Sequence, residues 1–170
     1  MSAADVNAVL VRPAVVSDAA PIMKIYGHYV KNTIFTFEET PPKSEYFADK
    51  INNTGDENPL LTATYNGVVC GYAYADLWRT RCAYRNTLES SLYVDCAHVG
   101  LGVGKALLDE LLECLRKTPT RAVVAVISLP NPASVALHEK CGFVASGVLH
   151  GVGWKFGTAC DVGFWLAHLK

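Results

Sequence analysis

Apolar residues recur at intervals of three and four in several stretches of the chain, which is the spacing of one face of an α-helix. From Ile22 to Tyr29 they follow Ser17 and Asp18, either of which could cap a helix at its start. Five leucines between Leu107 and Leu115 lie on one side of a longer helix. The pattern therefore predicts four helices: one after Asp18, one over 45–52, one over 104–117 and one within 131–142, with Gly142 as its C-cap.

Other apolar stretches are short and rich in β-branched and aromatic residues, which is typical of strands. Asn66 and Gly67 form a two-residue turn signal between two such stretches, so we predict a β-hairpin there. The run 121–127 does not alternate, which indicates a strand covered on both faces. Further strands are predicted over 9–14, 87–95, 144–149 and 161–167. The order β-α-α-β-β-β-α-β-α-β-β predicts an α/β fold: a mixed sheet with helices on its faces, in one domain over 1–170.

The composition mainly argues against certain partners: nucleic acid, membranes and metal ions. The chain has 170 residues, 51% of them hydrophobic, with a net charge of -1 and scattered basic residues, so we expect no nucleic-acid partner. No apolar stretch approaches the roughly 20 residues of a membrane span, and no secretory signal opens the sequence, so we expect no membrane association. The six cysteines form no CxxC pair, which favours reduced thiols in a cytoplasmic protein and argues against a metal site.

The stretch HVGLGVGKAL, residues 98–107, sets three glycines at a predicted junction between a strand and a helix. Backbone N–H groups at a helix start bind phosphate, and glycines let the anion approach closely. A P-loop is excluded because Val99 and Ala106 replace its first glycine and its hydroxyl, and a dinucleotide fingerprint fails at Lys105. A tight turn without a ligand remains the alternative.

The loop also resembles the pyrophosphate loop of GNAT N-acetyltransferases, [QR]-x-x-G-x-[GA], with Gly102 and Gly104 in place and Val99 departing at the first position. Segments 78–94, 98–108, 123–143 and 155–165 resemble the phosphinothricin and methionine sulfone N-acetyltransferase branch in order and spacing. The resemblance extends from Val11 to Leu166. It implies the GNAT acyl-CoA N-acyltransferase fold, acetyl-CoA as co-substrate without a metal, a small amine acceptor and a homodimer.

Acyl transfer to an amine needs a general base, because an ammonium group has no lone pair. Glu89 lies in a predicted strand, where by itself it could equally be solvated or paired with an arginine. The resemblance implies that Glu89 is the general base, directly or through water. His138 by itself reads as a packed helix residue, and the resemblance implies a second catalytic or orienting group.

The resemblance also implies the cofactor contacts. The backbone of one strand would pair with the pantetheine arm where two parallel strands separate, the glycine loop would hold the pyrophosphate, and the start of the next helix would contribute two side chains. These cofactor residues are Leu92, Tyr93, Val94, Val99, Gly100, Leu101, Gly102, Val103, Gly104, Lys105, Asn131 and Ser134.

Three arginines, Arg79, Arg81 and Arg85, lie within seven residues. Arginine binds carboxylates and phosphinates bidentately, which fits an acidic small acceptor, although a solvated basic loop would look the same. The resemblance implies no role for Arg85. It implies acceptor contacts from Arg79, Arg81, Tyr84, Thr87 and, from an N-terminal loop that acts as a lid, Phe37. The chain departs from the branch at Ala159, where a tryptophan is usual.

The sequence therefore predicts transfer of an acetyl group from acetyl-CoA to an amino-acid-like amine. One alternative is another amine, such as a polyamine or a protein N-terminus, although the arginines would repel a polyamine. A second alternative is a non-catalytic acyl-CoA sensor, against which the presence of both Glu89 and His138 counts.

Overall fold

All the strands lie in one sheet. A computed structural model describes residues 8–170, apart from the side chain of Ser44, and its strands follow the order β1-β2-β3-β4-β5-β7-β6. The predicted order of elements is confirmed. The elements are β1 (Val9–Pro13), α1 (Ala19–Asn32), α2 (Ser44–Asn52), β2 (Leu60–Tyr65), β3 (Val68–Leu77), β4 (Thr87–Val94), α3 (Val103–Arg116), β5 (Ala122–Leu129), α4 (Pro132–Lys140), β6 (Val144–Lys155) and β7 (Thr158–His168).

Two apolar layers cover the two faces of the sheet. On one face, the leucines of α3 are fully buried against β2, β3, β4 and β5. On the other face, α1 and α2, with Phe47, pack against Tyr72, Tyr74 and Tyr93 of the sheet. Side chains of β3 and β4 alternate between these layers, so each strand contributes to both.

The start of α1 differs from the prediction. Asp18 is the N-cap residue of α1, which begins at Ala19, but its side chain makes no capping hydrogen bond to the helix, because the carboxylate is bound elsewhere. Asp18, 4% exposed, accepts hydrogen bonds of 2.7 and 2.9 Å from Arg12, and others from the Val15 amide and the Thr62 hydroxyl. Burial by itself would raise the pKa of Asp18, but these hydrogen bonds hold it below its usual value.

Two hairpins join neighbouring strands. The predicted turn between β2 and β3 is confirmed, with positive φ angles of 50° at Asn66 and 77° at Gly67. The two predicted final strands are confirmed, but both are longer than 144–149 and 161–167, because β6 and β7 continue to a second turn at Phe156 and Gly157. Register shifts along β6, next to its glycines, interrupt the alternation that would have revealed the longer strand.

The parallel strands β4 and β5 separate halfway along their length. Thr87–Ser90 pairs with Ala122–Ala125, after which the ladder ends although both strands continue. The other neighbouring strands pair antiparallel. The prediction that β5 is covered on both faces fails at Val126, 37% exposed, which lies where the strands have parted. Between residues 8 and 170, no helix combines the length and the apolar character that a bilayer crossing requires.

Candidate active site

The glycines of the 98–107 stretch serve two different purposes. Gly100 and Gly102 have φ angles of 86° and 81°, in the left-handed region that favours glycine. Gly104 lies inside the first turn of α3, and a Cβ there would come within 3.1 Å of Leu137 Cδ2. The first two glycines therefore shape the bend, and the third lets α3 approach α4.

The bend presents backbone donors at the start of α3. Gly102 is the N-cap, and the first hydrogen bond within the helix runs from the Ala106 amide to the Gly102 carbonyl at 3.0 Å. The amides of Val103, Gly104 and Lys105 precede that bond, so the helix itself supplies no acceptor for them. With the positive end of the helix dipole, they form a site that suits phosphate. The ammonium of Lys105 is exposed and pairs with Asp109 at 2.5 Å.

A cavity of about 710 Å³ lies where β4 and β5 separate, next to the starts of α3 and α4. It brings together the predicted cofactor residues, except Leu101, and it also includes the predicted catalytic His138. The residues from the prediction that line it are Leu92, Tyr93, Val94, Val99, Gly100, Gly102, Val103, Gly104, Lys105, Asn131, Ser134 and His138. The Asn131 side chain also caps α4, because its Oδ1 accepts a hydrogen bond from the Ser134 amide at 3.2 Å.

The sequence did not reveal two parts of the cavity wall. One is the end of α1 and the loop after it, with Tyr29, Thr33 and Phe35; the other is the second half of β5, 126–128. The Tyr29 hydroxyl donates to the carbonyl of Val94 at 2.7 Å. Tyr29 fits the apolar face of α1, and hydrophobic periodicity does not show that β5 leaves its neighbour. Nothing in the sequence therefore distinguished these residues from core positions.

His138 is buried in α4 with a defined tautomer. Its Nδ1 lies 2.8 Å from the Ser134 carbonyl oxygen, which can only accept, so Nδ1 carries the hydrogen. Its ring meets the ring of Phe143 edge-on, with the centroids 5.0 Å apart. Burial lowers the pKa of His138 below its usual value, and the Ser134 hydrogen bond only partly opposes this. The imidazole is therefore neutral near pH 7, with a lone pair on Nε2.

Glu89 lies outside the cavity lining, on the face of the sheet that α1 and α2 cover. It is half-buried in β4, directly opposite Asp76 of β3. Burial raises the pKa of Glu89, the negative charge of Asp76 raises it further, and the positive charge of Arg79 opposes both. Glu89 is one residue before Ser90, which does line the cavity. Its carboxylate is therefore a stronger base than an exposed one.

The predicted acceptor residues lie mostly on the segment between β3 and β4. Arg79, Arg81 and Tyr84 are exposed, and Thr87 is half-buried at the start of β4. The Arg79 guanidinium lies 4.9 Å from the Trp78 ring centroid, and Trp78 meets Tyr84 edge-on with the centroids 5.3 Å apart. None of the four lines the cavity. They form a surface next to Glu89 along the chain, separate from the predicted cofactor residues.

Phe37 belongs to a loop, residues 33–40, that three contacts hold against β5 and β6. The Ser128 hydroxyl donates to the Ile34 carbonyl at 2.6 Å. The ammonium of Lys155, 1% exposed, donates to the Thr36 carbonyl at 2.6 Å, and burial lowers the pKa of this lysine. The Phe37 ring lies on Gly153, where any Cβ would overlap it. Phe37 does not line the cavity. Its predicted contact with an acceptor therefore depends on how these contacts position the 33–40 loop.

The site combines anion-binding groups with groups that can accept a proton. No group of three or more His, Cys, Asp and Glu side chains within residues 8–170 is arranged to hold a metal ion. The described groups are a phosphate-binding helix start, a neutral imidazole, a carboxylate with a raised pKa and an arginine-bearing surface. This set fits proton transfer beside a bound phosphate-containing ligand.

Comparison with known families gives one match over most of the chain. Residues 23–143 match the profile of the Acetyltransferase (GNAT) family. The match includes Glu89, the glycine bend, the separated strands and His138, so it spans the predicted cofactor residues as well as the two predicted catalytic residues.

Individual relatives agree with that match. The chain is 41% identical over 155 residues to a phosphinothricin N-acetyltransferase of Streptomyces viridochromogenes, covering 91% of this chain and 85% of the relative. It is 35% identical over 153 residues to an L-methionine sulfoximine/L-methionine sulfone acetyltransferase of Salmonella typhimurium, covering 87% of each. A phosphinothricin acetyltransferase of Sinorhizobium meliloti, solved with acetyl-CoA, superposes with a TM-score of 0.89 at 38% identity, covering 94% of this chain and 88% of that one.

Proposed function

This chain belongs to the GNAT family of acetyltransferases, and we propose that it acetylates the primary amine of a small amino-acid-like acceptor of the phosphinothricin, methionine sulfone or methionine sulfoximine type. It is an N-acetyltransferase that uses acetyl-CoA as co-substrate. The observation that carries the proposal is the cavity at the separation of β4 and β5, which joins the phosphate-binding start of α3 to the strand that bears Glu89. We take residues 1–170 as one acetyltransferase domain.

The cleft suits acetyl-CoA along its whole length. The pyrophosphate would bind the amides at the start of α3, where Gly100 and Gly102 leave room for it. The pantetheine arm would run along the part of β4 that has lost its parallel neighbour, from Leu92 to Val94, all three of which line the cavity. This path brings the thioester to the level of Ser90 and Ser91, beside Glu89.

Glu89 would act as the general base, directly or through one water molecule. It takes a proton from the acceptor ammonium, and the free amine attacks the thioester carbonyl. The new C–N bond forms as the C–S bond breaks, the departing thiolate of coenzyme A takes up the second proton that the attacking nitrogen loses, and Glu89 then releases its own proton to solvent. The raised pKa of Glu89 brings it closer to neutral pH, which suits this role.

His138 would orient a group in the cavity rather than donate a proton to the departing thiolate. Its Nδ1 hydrogen is engaged with Ser134, and its burial disfavours the imidazolium form that could protonate a departing thiolate. The neutral ring instead offers an acceptor at Nε2 to a group in the cavity. Of the roles left open by the sequence, the geometry supports the orienting one.

The arginine-bearing segment supports an acidic acceptor. Arg79 and Arg81 are exposed and available to a carboxylate or phosphinate, whereas a cationic polyamine would be repelled. The relatives that act on phosphinothricin and on methionine sulfone or sulfoximine have acceptors of this kind. The functional form would be a homodimer in the cytoplasm. The free state of all six cysteines, which lie within the described residues, supports the location.

The first test is thiol release from acetyl-CoA by the purified protein. The acceptors are methionine sulfone, methionine sulfoximine and phosphinothricin, with spermidine as the cationic control. Release with the acidic acceptors alone is the expected result. Release with spermidine alone would support acetyl transfer but contradict the acidic acceptor. Tight coenzyme A binding without any thiol release would contradict the proposed acceptor class.

Glu89→Gln tests the base. We expect kcat to fall about 100-fold or more, because general-base catalysis typically contributes 10² to 10⁴. Coenzyme A affinity, measured by calorimetry, should stay unchanged, since the side chain lies outside the cavity lining. The matched control is Glu113→Gln on the exposed side of α3, which should turn over normally. Undiminished turnover in Glu89→Gln would remove Glu89 as the base.

A further inference from the structure

We propose that Asp76, held in place by Lys50, is a positioning residue that makes the carboxylate of Glu89 a stronger base. The inference rests on the proposed role of Glu89 as the base, and it identifies a neighbouring charge that adjusts its basicity. Asp76 and Glu89 are register partners in the antiparallel β3–β4 ladder. Residues directly opposite each other in such a ladder point to the same face, with their Cβ atoms about 4.5–5.5 Å apart.

Lys50 fixes the orientation of Asp76 from the neighbouring helix. Its Nζ lies 2.5 Å from Asp76 Oδ2 and 4.0 Å from the centroid of the Tyr74 ring, which is two residues before Asp76 on the same face of β3. The Lys50 side chain is mostly buried between α2 and the sheet, whereas half of the Asp76 side chain is exposed. The lysine is therefore the anchored partner, and it keeps Asp76 on the Glu89 face.

An acidic pair at this place has no evident structural benefit. Like charges directly opposite each other destabilise a sheet, and Lys50 compensates only Asp76. The pair does have a chemical consequence. A carboxylate with its usual pKa is a poor acceptor for an ammonium proton, and a neighbouring negative charge improves it. Lys50 limits that effect by neutralising part of the charge on Asp76.

Groups on β3, on the segment after it and on α2 surround Glu89, and Asp76 supplies negative charge among them. Asp76 and Tyr74 face it from β3, Arg79 from the segment that follows, and Lys50 from α2 through Asp76. Its partner on β5 is Val124, which does not titrate. Of the charged groups near Glu89, the negative charge of Asp76 raises its pKa and the positive charge of Arg79 lowers it.

The test removes each partner and follows the titration of Glu89 in two ways. The variants are Asp76→Asn, Lys50→Met and the double variant, with Asp49→Asn as a matched control that changes the same charge at an exposed position next to Lys50. One readout is the acidic limb of the pH profile of kcat/KM. The other is the ¹³C titration of the Glu89 carboxyl in glutamate-labelled protein, assigned by the signal that Glu89→Gln removes. Thermal melting confirms that each variant is folded.

The two variants should shift the titration in opposite directions. Asp76→Asn should lower the apparent pKa in both readouts by roughly half a unit or more, and Lys50→Met should raise it, because the charge of Asp76 is then uncompensated. The effect of Lys50→Met should shrink when Asp76 is already neutral. Asp49→Asn should change nothing.

Two different failures can be told apart. If Glu89→Gln is inactive but the ¹³C titration does not move in Asp76→Asn, or moves the same way in both variants, this inference is wrong and the base assignment stands. If Glu89→Gln turns over normally, the base assignment is wrong and this inference falls with it.

Discussion

Single residues fix the conformation of the phosphate-binding bend. Gly102 holds a φ angle of 81° at the N-cap of α3, next to the amides that would bind the pyrophosphate. Gly67 holds a φ angle of 77° in the hairpin between β2 and β3, outside the cavity lining. An L-residue in this region costs about 1–2 kcal/mol wherever it occurs. Substitution at either glycine should therefore carry the same conformational cost, but only Gly102 lies next to amides that would bind the pyrophosphate.

Gly102→Ala should weaken coenzyme A binding, with Gly67→Ala as its control. Each substitution should lower the free energy of unfolding by about 1 kcal/mol, because each forces alanine into a left-handed conformation. Only Gly102→Ala should raise the calorimetric Kd for coenzyme A, by roughly tenfold, since relaxation of the N-cap turns the amides away from the anion. Equal affinities in the two variants would contradict the assignment of the bend to the pyrophosphate.

At the scale of elements, the sequence predicted what is local and missed what depends on neighbours. The Asn66–Gly67 turn and the leucine face of α3 are local patterns, and both were found correctly. The separation of β4 from β5 is a relation between strands more than thirty residues apart, and no periodicity carries it. The predicted strands of the β6–β7 hairpin were too short, because register shifts interrupt the alternating pattern of β6. The resemblance to a family supplied the separation of the strands that the residues could not.

The loop over 33–40 is likewise an element held by distant contacts. Gly153→Ala should displace it, because a Cβ at residue 153 would overlap the Phe37 ring. We expect faster amide exchange over 33–38 and a several-fold higher KM for the amine acceptor, with the coenzyme A Kd unchanged. If Phe37 forms part of the acceptor site, these two effects appear together. Faster exchange with an unchanged acceptor KM would remove Phe37 from that site.

Gly27→Ala is the matched control for that substitution. Gly27 lies inside α1, and a Cβ there would meet only Met23 and Pro41, at ordinary distances of 3.6 and 3.9 Å. Alanine is favoured over glycine in a helix interior, so this variant should be more stable by about 0.5–1 kcal/mol. Its acceptor KM should match that of the unmodified protein.

At the scale of the whole molecule, one edge of the sheet exposes several large apolar side chains. Strand β6 lies at the edge of the sheet and pairs with β7 alone. Along it, Leu149, Val152 and Trp154 are exposed, and Phe156 in the turn after it is exposed as well. Long apolar edge strands invite pairing with another chain, and exposed apolar patches mark interaction surfaces. The proposed homodimer would cover this edge, which also includes Gly153, the residue on which the Phe37 ring of the 33–40 loop packs.

Trp154→Glu should therefore separate the subunits. Trp154 is 67% exposed, so the substitution removes a large apolar contact from the surface without opening a cavity in the core. Sedimentation velocity should give a dimer for the unmodified protein and a monomer for the variant, with unchanged circular dichroism. Val68→Glu, an exposed apolar position at the start of β3, should leave the dimer intact. Phe37 packs on Gly153 of β6, so loss of the subunit contact should disturb the 33–40 loop. The monomer should therefore show a raised acceptor KM and an unchanged coenzyme A Kd. A monomeric unmodified protein, or a dimer that survives Trp154→Glu, would show that β6 is not the contact between subunits.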